Sequence, residues 1–159
     1  MFRLDLKAHT KIAFVYFFLA AGLGILLRLF YVTPIAANYK YIIHAHSHTA
    51  LLGWVYLALT GIIYRLLFQT IKLPKKYLYI FLATNISLLG MLFSFPFQGY
   101  AVVSIIFSTL FLFCSYFYTG FILRNTPDEH RHTQYFKLIK AALWYWFFPV
   151  LAPGLWERL

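Results

Sequence analysis

Three histidines, His44, His46 and His48, stand at alternate positions in the stretch YIIHAHSHTALLGWVY, from Tyr41 to Tyr56. Imidazole nitrogen suits zinc, copper, iron and nickel, and it also donates or accepts hydrogen bonds. The backbone decides what this spacing can do. On a helix, His44 and His48 are four apart and share a face, while His46 points roughly the opposite way. On an extended chain all three imidazoles lie on one side. The first arrangement offers a two-imidazole metal face and one separate histidine; the second offers a three-imidazole clamp for copper or zinc. A plainer reading has the histidines capping a helix at an interface, as the neighbouring Ser47 and Thr49 also could. Against it, ionisable residues in or near membrane spans are rare and usually functional.

The remaining candidates are weaker. His130 and His132, beside Asp128 and Glu129 in DEHRH, read as part of a solvated loop, and His9 is a lone histidine without an assigned role. The only carboxylates are Asp5, Asp128, Glu129 and Glu157, none of them mid-span, which argues against an acidic proton relay or a carboxylate-bridged di-iron site. No phosphate-binding glycine loop, nucleophile elbow or zincin motif is present. Cys114 is the single cysteine and sits in an apolar run, so no intrachain disulfide forms and a buried thiol is expected.

These residues must be positioned by elements made for lipid. Hydrophobic residues are 62% of the 159 and charged residues 11%, against roughly 25% charged in soluble chains. The composition predicts an all-α, polytopic transmembrane bundle, a single domain over 1–159. Five spans are expected, at roughly 12–31, 45–68, 77–95, 100–123 and 141–156. Pro34 closes the first. The interval from Tyr77 to Leu123 has no charge and is too long for one helix, so FPFQGY, with Pro96 and Gly99, is read as the turn of a helical hairpin. The fifth run, AALWYWFFPVLAPGLW, is interrupted by Pro149 and Pro153. Gly22, Gly24, Gly53 and Gly61 are read as helix-packing residues, and Trp54, Trp144, Trp146 and Trp156 as interfacial aromatics.

The formal net charge is +10, but the basic residues punctuate the apolar runs and form no nucleic-acid-binding patch. Arg3, Lys7 and Lys11 precede the first span, Arg65, Lys72, Lys75 and Lys76 follow the second, and Arg124, Arg131, Lys137 and Lys140 follow the fourth. Only Arg28, Lys40 and Arg158 fall on the other side. This alternation predicts a cytoplasmic N-terminus and sets the three histidines at the outer end of the second span. The basic start followed by an apolar run is read as a retained first span, since no cleavage site follows closely.

The stretch HAHSHTALLGW, continuing to Gly61 and Tyr64, resembles the second transmembrane helix of heme-copper oxidase subunit I, nitric-oxide reductases included, and most of all the short, divergent bacterial proteins of that class. The same HxH pattern resembles a family of His-rich bacterial membrane proteins linked to nitric-oxide stress. The specific part covers about 25 residues. In the oxidase family a histidine near the outer end of this helix is an axial ligand of the low-spin heme; by spacing to Gly53 and Trp54, the resemblance implies His46, with His48 next. The family's second axial ligand and copper ligands come from later helices that this chain does not match. His46 and His48 on one helix cannot bind both faces of one iron. Either the chain is part of a longer protein, or other respiratory subunits or a second copy supply the missing ligand, or the chemistry has been lost.

The expectation is a multi-pass protein of the bacterial inner membrane that holds heme b near the outer face for electron transport in a respiratory chain. His46 or His48 would be the ligand, the neighbouring histidines would support it, and Arg28 and Lys40 could pair with propionates. Oxidase-like activity is expected only if missing helices or a partner complete the site. Two alternatives stand beside it: a non-heme protein binding copper or zinc through His44, His46 and His48 for sensing, delivery or transport, and a cofactor-free structural subunit of the membrane.

Overall fold

A computed structural model describes residues 5–69 and 74–151, with side chains as far as position 145. The described residues form helices joined by turns, without a β-strand, in the order α1 (Leu6–Leu29), α2 (Tyr39–His48), a π-helical segment (Thr49–Tyr56), α3 (Leu57–Phe68), α4 (Lys75–Gln98), α5 (Val102–Asn125), α6 (Asp128–Arg131) and α7 (Gln134–Leu151). The α2, π and α3 segments form one continuous 30-residue helix, Tyr39–Phe68. With α1, α4 and α5, that makes four helices among the described residues long and apolar enough to cross a membrane. The fifth expected span begins inside α7 and runs beyond the described residues.

Local chemistry sets most of the boundaries. Asp5 starts α1, its carboxylate accepting from the Ala8 amide at 2.8 Å, and Asn38 starts α2 by accepting from the Lys40 amide at 3.0 Å. Arg28, Arg65 and Arg124 sit in the last turns of α1, α3 and α5, where a cation meets the negative end of the helix dipole. The second span starts earlier than expected, at Tyr39 rather than 45, so all three histidines are helical. The third runs past 95: Pro96 lies inside the last turn of α4, and the reversal comes at Gly99. A proline so near a helix end removes one donor where few bonds follow. Gly99 is required there twice over. Its φ is +60°, and a Cβ would fall 2.4 Å from the Tyr41 ring.

The core is where α1, the long helix, α4 and α5 meet. Tyr16, Leu57, Tyr64, Tyr77, Phe81, Leu88, Met91, Phe95, Phe111 and Tyr118 are its larger members. Small residues let backbones approach. A Cβ at Gly53 would lie 2.7 Å from the Tyr16 ring, and one at Gly90 would lie 2.3 Å from Phe107. Gly24 and Gly61 likewise abut His46 and His9, whereas Gly22 has nothing within 4 Å. Thr84, Ser87, Ser94, Ser104, Ser115 and Thr119 are buried, while Phe18, Phe93, Phe97 and Phe117 are exposed. This is the distribution expected when the outer solvent is hydrocarbon. Trp54 is not interfacial: it lies midway along the long helix, with its ring 5.3 Å from Phe14 and 5.2 Å from Phe17 of α1.

Candidate functional site

The helical course of 39–48 selects between the two arrangements that alternate histidines allow. The three-imidazole clamp of an extended chain does not form, because successive residues of a helix diverge by roughly 100°. Among the described residues no group of three or more histidine, cysteine or carboxylate side chains is placed to hold a metal.

His46 faces α1. Its Nδ1 lies 3.0 Å from the Ala20 carbonyl oxygen. A carbonyl only accepts, so Nδ1 carries the proton and Nε2 presents a lone pair. The ring fits against α1 because Gly24 has no side chain: a Cβ there would lie 3.2 Å from Cε1. Nε2 makes no hydrogen bond among the described residues. His46 lines an open groove of about 980 Å³ together with Gly24, Arg28, Tyr31 and Tyr39. Tyr31 and Tyr39 share a hydroxyl contact of 3.1 Å at its mouth. Lys40 does not line this groove, so only Arg28 of the two expected cations is brought to His46.

His44 and His48 face α4 and the hairpin turn. His48 Nδ1 donates to the His44 carbonyl one turn back, at 2.9 Å. Its Nε2 then accepts from the Tyr100 hydroxyl at a long 3.3 Å. The His48 ring lies 4.4 Å from Phe95 and the His44 ring 4.6 Å from Tyr100, centroid to centroid. All three histidines are half-buried.

His9, which the sequence left without a role, is the most enclosed histidine, at 1% exposure. Nε2 donates to the Leu57 carbonyl at 2.8 Å, and Nδ1 accepts from the Tyr77 hydroxyl at 3.1 Å. Thr60 also donates to the Leu57 carbonyl, at 3.0 Å, and Tyr118 donates to the Thr60 carbonyl, at 3.0 Å. His9 thus ties α1 to α3 and α4 at the end of the π segment. Only its position in the first turn of an apolar helix hinted at this.

His130, in α6, is held by the Tyr135 hydroxyl, with Glu129 nearby at 3.2 Å, and His132 is exposed. The 24 residues of α5, about 36 Å of helix, separate them from His44–His48. Cys114 is a buried free thiol. No family model matches this chain, and no curated protein or solved structure matches it either.

Proposed function

We propose that this multi-pass membrane protein holds a heme beside α1 and α2, with His46 as an axial ligand, and serves electron transfer at the outer face of a bacterial inner membrane. The observation that carries the reading is the state of the His46 ring. One nitrogen is tied to a backbone carbonyl, as ligand histidines generally are; the other makes no hydrogen bond among the described residues, and the residue lines a groove. The groove's volume, about 980 Å³, lies within the roughly 300–1,000 Å³ of small-molecule and cofactor sites. Gly24 makes room for the His46 ring, and Arg28, which also lines the groove, offers a cation for the carboxylates of a heme. A heme would supply one-electron chemistry whose potential is tuned by the axial ligand and its surroundings. The chain's own residues would orient the ligand and fix its tautomer. His48 fits the heme-ligand role less well, since its ring packs on Phe95 and Tyr100 and does not line this groove. The second axial position is left to another subunit or a second copy across the open side of the groove.

The test is an optical spectrum of the protein purified in mild detergent, oxidised and then reduced with dithionite. A Soret band with sharp reduced α and β bands is expected, abolished in His46→Ala and kept in His48→Ala. A spectrum without heme in protein expressed with adequate heme supply defeats the reading. In that case the Ala20 bond would leave His46 as a fastener between α1 and α2.

A further inference from the structure

We infer that His44 and His48 form a second site, separate from the His46 groove, which takes a first-row transition cation such as Zn²⁺ through their two Nε2 atoms. The inference does not depend on heme. Histidines four apart on a helix place their Cβ atoms about 5–6 Å apart on one face, the spacing by which helical histidine pairs clasp zinc in other proteins. Here both rings pack on the same two aromatics. His44 lies 6.1 Å from Phe95 and 4.6 Å from Tyr100; His48 lies 4.4 Å and 5.9 Å from them. That restricts the rotamers of both imidazoles before any ion arrives.

Tautomers are also arranged. His48 gives its Nδ1 proton to the His44 carbonyl, which leaves Nε2 as the ligand atom and fixes the ring plane. Among the described residues the one hydrogen bond of that Nε2 is the long one to Tyr100, which a metal bond would displace. The His44 imidazole makes no hydrogen bond among the described residues, which leaves its Nε2 open to an ion. Tyr100 is 57% exposed, so the face opens at the hairpin end of the bundle, where an ion can enter from water. Imidazole pairs favour zinc and copper over magnesium and calcium, which want oxygen. Water completes the shell, together with the Tyr100 oxygen where it stays in reach. Lys40, one turn before His44, is exposed and can swing away.

Zinc titration of the detergent-purified, chelator-washed full chain by calorimetry tests this. One equivalent is expected, and His44→Ala or His48→Ala should weaken it by about tenfold or more. His46→Ala should leave it unchanged. Equal affinity in all variants, or an equal loss in His46→Ala, overturns the pair as the site. Should a variant fail to fold, the unsubstituted protein answers the same question. Substoichiometric copper with ascorbate and dissolved oxygen oxidises the residues that ligate it, and mass spectrometry should find the products at His44 and His48. Oxidation concentrated at His46, or at His130 and His132, overturns the proposal.

Discussion

Both nitrogens of an imidazole under lipid need partners, and His9 finds two that belong to different helices. The Leu57 carbonyl and the Tyr77 hydroxyl are 48 and 68 residues away in sequence. His9→Phe should therefore destabilise the bundle by about 1–3 kcal/mol, the cost of leaving buried polar groups unsatisfied. A double-mutant cycle with Tyr77→Phe, read by thermal unfolding in detergent, should give a coupling of about 0.6 kcal/mol, typical of hydrogen bonds within membranes. Coupling near zero would mean that the Tyr77 contact is incidental. The sequence showed the divergence of His46 from His44 and His48, because helical periodicity is local. It could not show His9's partners, since a contact across 68 residues has no periodic signature.

At the scale of elements, charge-poor intervals located the four helices among the described residues that are long and apolar enough to cross a membrane, because lipid penalises ions wherever the chain passes through it. The boundaries were less legible. Tyr39 to His44 carries a lysine and reads as polar, yet Asn38 caps a helix there. Pro96 reads as a breaker, yet α4 absorbs it in its last turn. The π segment left no mark in the sequence beyond Gly53, which faces Tyr16 across a gap too small for a methyl. Such segments favour functional sites, and this one begins directly after His48. Gly53→Ala should cost about 1–3 kcal/mol by overpacking. Tyr16→Ala in the same chain should recover part of that loss, while Tyr16→Phe, which keeps the clashing ring atoms, should recover none. Unfolding curves of the three variants in one detergent check this. A Gly53→Ala protein as stable as the parent would show that α1 and the long helix can separate freely.

For the whole molecule, the basic residues predict that the two ends of the bundle face opposite sides of the membrane, the histidine end outward. His44, His46, His48 and the Gly99 turn gather at one end, while the α5–α7 loop with His130 lies at the other. In a Cys114→Ser background, a cysteine at Asn38 should react with a membrane-impermeant maleimide added to intact cells. One at Thr133 should react only after the cells are opened. The reverse pattern would place the histidines in the cytoplasm and remove the outer-face reading of both sites.

The exterior carries Phe18, Phe93, Phe97 and Phe117, and the interior carries hydroxyls, His9 and packed tyrosines. Two largely separate sets of residues therefore answer two separate questions: what medium the protein lives in, and how its helices meet. Exchanging that outer shell for charged residues, with every interior position kept, would transplant the bundle into water. The imidazoles could then be studied by methods that no detergent micelle permits.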